Sequence, residues 1–291
     1  MTLLPKIIAL TISIFSITAI AQNDQLYASE GQRSFWFNPA SIGTYNSYSA
    51  STVFKKQWDG ADDSPLGVQV GGAVKLKNLL GDESKLANSA IGINYSYEQV
   101  GYKRMHRVIV PLNVQFKLQN TFLSVGISPG IQTMLFSYNE GFPPYPWIPP
   151  SGTNESKFTA GAGLQWYGER FSIGIASTHL FSERFNTLGV HAWEHYYITG
   201  SYRHPFSEKF ALKAIVTVRE AGYYTGANAM ISGVFGSANE LTVGLGYRQD
   251  NIIIGSVTKR FNRFYLGYFI EGSTTISHEV RFAFELFDDR F

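Results

Sequence analysis

From about residue 48 to its end, this 291-residue chain returns again and again to runs in which apolar residues alternate with polar or small ones. A period of two is what a β-strand imposes, because successive side chains leave opposite faces of a sheet. Within 209–219, Phe210, Leu212, Ala214, Val216 and Val218 share one face. Lys209, Ala211, Lys213, Thr217 and Arg219 share the other, with Ile215 as the exception. Within 241–248, Leu241, Val243, Leu245 and Tyr247 oppose Thr242, Gly244, Gly246 and Arg248. The last run sets Val280, Phe282, Phe284 and Leu286 against Glu279, Arg281, Ala283 and Glu285.

Runs of this kind are predicted near 48–58, 65–76, 88–99, 104–117, 121–138, 156–167, 170–180, 192–203, 208–219, 223–235, 238–248, 250–259, 262–271 and 278–287. Fourteen is even, as bacterial antiparallel barrels require, and most runs reach the roughly 9–11 residues that cross a bilayer when tilted. Gly168-Glu169, Ser207-Glu208, Gly236-Ser237 and Gln249-Asp250 read as tight turns, whereas 139–155 and 181–191 are longer. Short turns at one rim and long loops at the other are the barrel pattern.

Composition decides which solvent such a sheet faces. Charged residues make up 16% of the chain, against about 25% in soluble domains. Aromatics reach 15% and there are 28 Gly, yet mean hydropathy is only −0.07. Alternation without long apolar runs has that signature, and a soluble β-sandwich or lipocalin-like barrel would carry more charge in a shorter chain. A net charge of +2 gives no electrostatic reason to expect nucleic acid. The absence of Cys excludes disulfides, thiolate metal sites and a Cys nucleophile.

Lys6, the apolar stretch 7–21 and the Ala19-Ile20-Ala21 pattern read as a cleaved signal peptide. A stretch of fifteen residues falls short of the roughly 20 that a spanning helix needs. The expected organisation is therefore a signal peptide over 1–21, a plug-like or periplasmic segment over 22–47, and an all-β antiparallel transmembrane barrel of about fourteen strands over 48–291. The expected location is the outer membrane.

Catalytic constellations are poor, and neither a metal nor a cofactor is expected. His191-x-x-x-His195 opens a predicted strand, where residues four apart lie roughly 13 Å from one another, too far to share a metal. Asp59, Asp62 and Asp63 lack the alternating spacing of a calcium loop and read as a solvated turn. Gly161-x-Gly163 and Gly244-x-Gly246 open no helix and read as sites of close packing. Ser and His both occur in strands, but no pair of them points to an envelope hydrolase. The proline-rich stretch 142–150 is stiff and presents Tyr145 and Trp147 as candidate partner contacts or a lid.

The run Phe35-Trp36-Phe37-Asn38-Pro39-Ala40-Ser41-Ile42-Gly43, the run Lys55-Lys56-Gln57-Trp58-Asp59-Gly60 and His278-Glu279 in the last strand resemble the PorP/SprF family of Bacteroidetes outer-membrane proteins. The chain departs from that family in a single Asn-Pro element, in Lys56 where Arg is common, and in Ser64 where Gly is usual. The resemblance implies service to type IX secretion and gliding motility. A secreted partner with a C-terminal sorting domain, such as an adhesin, would be exported or attached at the surface with other secretion components. On physical grounds Asn38-Pro39 favours a turn that tucks Phe35, Trp36 and Phe37 as a plug or rim anchor. Trp58 beside Lys55 and Lys56 suits an interfacial girdle. Phe37, Asn38, Pro39, Gln57, Trp58, Tyr145 and Trp147 are the candidate partner-binding residues. The alternative function is a passive channel or a transporter of small hydrophobic solutes.

Overall fold

The computed structural model describes residues 27–29, 34–60, 64–81, 86–137, 149–222, 224–236 and 240–287. The strands are β1 (Asn46–Lys56), β2 (Leu66–Lys75), β3 (Ala90–Val100), β4 (Lys103–Ile109), β5 (Leu112–Leu118), β6 (Thr121–Phe136), β7 (Asn154–Tyr167) and β8 (Phe171–Thr178). There follow β9 (Arg184–Phe185), β10 (Val190–His191), β11 (His195–Ser207), β12 (Phe210–Ala221), β13 (Tyr224–Phe235), β14 (Leu241–Arg248), β15 (Ile252–Phe261), β16 (Phe264–Gly272) and β17 (Ile276–Phe287). Except for the two-residue ladder β9–β10, all belong to one antiparallel sheet that closes on itself, with β1 paired to β17.

β4 and β5 form a single stave. Both pair with β3 and with β6 in one continuous register, and only Val110-Pro111 separates them. Pro111 has no N–H to give the ladder, although Gly92 still donates to its carbonyl at 2.9 Å. Counted by staves, the barrel has fourteen strands, as the alternation leads one to expect. Several boundaries differ from the sequence reading, the largest shift being β11, His195–Ser207 against an expected 192–203. The first strand begins at Asn46 rather than 48, and the fourth run is interrupted at its proline.

Asn46 faces Phe287, so the first strand starts and the last strand ends at one rim, called here the terminal rim. The 179–194 connection lies at the opposite rim, and the long 137–153 connection leaves β6 and enters β7 there. The contrast in loop length is weaker than expected, however. The 76–89 connection, with its helical turn Lys77–Leu80, belongs to the terminal rim, while tight turns at 101–102 and 249–251 sit among the long loops.

Sidedness is inverted relative to a soluble barrel. Leu245 is 68% exposed, and Ile127, Ile131 and Ile231 also face outward. Lys55 and Gln132, at 0% exposure, face the lumen, as do Glu279, Arg219 and Arg248. At about 25 cal/mol per Å² of apolar surface, a wall of exposed Leu, Ile, Val and Phe around every stave is tolerable only in hydrocarbon. The apolar face is therefore the lipid face and the polar face lines the interior.

Candidate functional site: a segment held inside the barrel, and the loop rim

The stretch 34–45 lies inside the barrel against β5, β6, β7 and β8. Its local shape follows from Asn38-Pro39. A residue before proline is pushed to extended backbone, and Asn38 has φ −115° and ψ 101°. Pro39 then opens a short 3-10 turn, Pro39–Ser41, capped by Asn38 Oδ1, which accepts from the Ala40 amide at 3.0 Å. Gly43, at φ +60°, turns the chain into β1 past Ala90, where a Cβ would come within 2.7 Å of the alanine methyl.

The barrel wall receives this turn with amides and bare backbone. Asn38 Nδ2 donates to Gln165 Oε1 at 3.0 Å and to the Leu164 carbonyl at 3.2 Å. Asn113 Nδ2 donates to the carbonyls of Ala40 and Ile42 at 3.1 and 2.7 Å, and Gln115 Nε2 to that of Ile42 at 3.2 Å. A Cβ on Gly126 would stand 2.5 Å from the Ala40 nitrogen, and one on Gly163 2.1 Å from Asn38 Oδ1. Close approach, of the Ala40 backbone at Gly126 and of the Asn38 side chain at Gly163, is what these glycines allow, not turn geometry. Phe37 stacks on Tyr197 with ring centroids 4.4 Å apart and packs against Ala176.

A second dock holds Tyr27–Ser29 near the opposite rim. Glu279 accepts from the Ala28 amide at 2.7 Å and from the Ser29 hydroxyl. Arg248 donates to the Tyr27 carbonyl at 2.9 Å and pairs with Glu271 at 3.0 Å, while Lys55 also pairs with Glu271. Lys55 Nζ lies 5.8 Å from the centre of the Tyr27 ring. The Ala28 side chain sits among Met230, Ile254 and Phe269.

The 179–194 connection folds inward at the same end. Phe185, Leu188 and Ala192 pack on the inward side chains of Met105, Met134 and Phe136. His179 bonds Glu183 at 2.9 Å through Nδ1 and meets Arg107 at 2.9 Å through Nε2. Burial alone would raise the Glu183 carboxyl, but the hydrogen bond and charge of His179 outweigh it and hold the group below the usual carboxylate range. His191 bonds Ser182 at 2.6 Å and packs against Trp193, whereas the His195 ring lies across that of His179, 5.2 Å between centroids.

The sequence candidates thus fall in separate places. Phe37, Asn38 and Pro39 come together inside the barrel. Gln57 and Trp58 lie at the long-loop rim, where the Gln57 amide donates to the Pro65 carbonyl at 2.9 Å and Trp58 is 47% exposed with φ 53°. Asp59 lies close to Lys56 and His278, at 3.4 and 3.7 Å. Tyr145, Trp147, Asp62, Asp63 and the signal peptide over 1–21 lie outside the described residues. Sequence reasoning did not single out Lys55, Arg248, Glu271 and Glu279 as a cluster. The available signal was a set of ionisable residues on the small or polar face of strands whose other face is apolar.

Among solved structures, the barrel is similar to the CymD monoaromatic hydrocarbon channel at 10% identity and TM-score 0.51, covering 92% of this chain and 95% of that one. It is also similar to the toluene transporter TbuX of Ralstonia pickettii (10%, 0.50, 89% and 94%) and to the toluene transporter TodX of P. putida (8%, 0.51, 86% and 92%). At such identities the likeness is one of fold. No curated protein sequence matches the chain. The family model for the type IX secretion system membrane protein PorP/SprF, by contrast, matches residues 19–287, nearly the whole length. An outer-membrane barrel with this match belongs to the PorP/SprF family of type IX secretion system membrane proteins.

Proposed function

We propose that this barrel is a non-catalytic accessory of type IX secretion that supports export or surface attachment of a partner protein carrying a C-terminal sorting domain, such as a gliding adhesin. The family match over 19–287 carries the reading. The occupied lumen favours docking over transit: the wall is bridged by 34–45 near one end and by the inward-folded 179–194 connection at the other. The working surfaces are then the two rims, with Gln57 and Trp58 presented at one of them and other secretion components and lipid around them. Export would use the signal ending at Ala21, in a Bacteroidetes-type envelope. Deleting the gene and comparing surface proteins tests this directly. At least one sorting-domain protein should leave the surface and return on complementation; an unchanged surface population defeats the reading.

A second reading, a channel for small apolar solutes, draws on the names of the structural neighbours. It requires solute uptake by liposomes that carry the purified barrel. Uptake no faster than in empty liposomes excludes it.

A further inference from the structure

We infer that Lys55, Arg248, Glu271 and Glu279 form a peptide-binding seat whose resident ligand is the chain's own Tyr27–Ser29, and that this seat opens at the long-loop rim, the cell-surface side. The chemistry is that of backbone recognition. Glu279 takes the Ala28 and Ser29 amides at 2.7 and 3.5 Å and Arg248 holds the Tyr27 carbonyl at 2.9 Å, so the seat reads both donors and an acceptor of the main chain. Two cations and two carboxylates balance, with Glu271 between Lys55 and Arg248, and the fitting ligand is therefore a neutral stretch of peptide. Met230, Ile254 and Phe269, all at most 5% exposed, close around the Ala28 methyl and limit that position to a small residue.

The two docks lie at opposite ends of the lumen. Lys55 is the penultimate residue of β1, Arg248 the last of β14 and Glu271 the penultimate of β16, and all three strands run from the terminal rim to the opposite one. Asn38 is held by Gln165, two residues before β7 ends at the terminal rim. Tyr27–Ser29 thus sit at one end of the lumen, and Asn38 and Asn46 at the other. Long loops mark the outer face of such barrels, so the seat opens toward the cell surface.

A cysteine-free chain makes the test clean. Single cysteines would be placed as Gln25→Cys, as Asp250→Cys in a tight turn of the long-loop rim, and as Asn120→Cys in a tight turn of the terminal rim. Each would be probed with a membrane-impermeant maleimide before and after the outer membrane is opened. Gln25→Cys should label on intact cells as Asp250→Cys does, and Asn120→Cys only after opening. Adding Ala28→Trp, which overfills the methyl site, should abolish most of the intact-cell labelling at Gln25→Cys. The same change should leave that of Asp250→Cys intact, showing that the barrel still inserts. Labelling of Gln25→Cys that follows Asn120→Cys, or that is absent in both states, overturns the inference. So does labelling indifferent to Ala28→Trp.

Discussion

The two docks that hold the N-terminal segment inside the barrel achieve the same end by opposite chemistry. Near the terminal rim the wall meets Asn38, Pro39 and Ala40 with neutral amides and with glycines that leave room for the Ala40 backbone and the Asn38 side chain. Near the long-loop rim it meets Tyr27–Ser29 with four ionised side chains arranged as alternating charges. The first is specified by shape and should fail when atoms are added; the second is specified by charge balance and should fail when atoms are removed. A lumen shielded from lipid allows both, because every polar group can find a partner inside the wall.

The largest effect is expected from Glu279→Ala. It removes the acceptor for Ala28 and Ser29 and one of the two carboxylates beside Lys55, and leaving buried charge uncompensated in this way costs about 3–5 kcal/mol. The midpoint of urea unfolding in detergent micelles measures it, and a change below about 1 kcal/mol would mean that the cluster behaves as if exposed to water. Gly126→Val comes next, since its Cβ would meet the Ala40 nitrogen and the Pro39 carbonyl carbon at 2.5 and 2.6 Å. Overpacking of this kind costs about 1–3 kcal/mol. The expected result is a folded barrel whose 34–45 stretch becomes open to protease. Uncleaved wild-type-like behaviour would show that the glycine wall does not select the segment.

A smaller loss, about 1–2 kcal/mol, is expected for Asn38→Ala, which deletes the turn cap and both amide bonds to β7. Asn38→Asp separates the two parts, since it keeps an acceptor for Ala40 but loses the donors to Gln165 and Leu164. Equal stability of the two variants would assign all the effect to the wall contacts. The smallest effect concerns the loop. Glu183, held low by His179, contributes stability that is present above the usual carboxylate range and lost as pH falls through its lowered value. Protease cutting within 179–194 should therefore rise on acidification below about pH 4, and Glu183→Gln should flatten that dependence.

Much of the wall was readable because alternation is a local property. The runs at 210–221 and 241–248 needed only their own residues to show which face meets lipid. Asn38-Pro39 likewise signalled a turn, as pre-proline geometry is fixed by neighbours in sequence. Gly163, read as a site of close packing, receives Asn38. What stayed hidden was non-local. Glu279 and Ser29 are 250 residues apart, and nothing near either one reports the other. The side of the barrel on which 76–89 lies depends on the parity of all preceding strands. The histidines show the same limit: His179, His191 and His195 gather at one end with Arg107 and Glu183, but only because a 16-residue connection folds back over the lumen.

Conductance of the purified protein in a planar lipid bilayer tests most directly the claim that the barrel is closed by its own chain. The wild type should stay near background, and a variant lacking 27–42 should open to a stable, stepwise current. A large and steady conductance in the wild type, unaltered by that deletion, would contradict it.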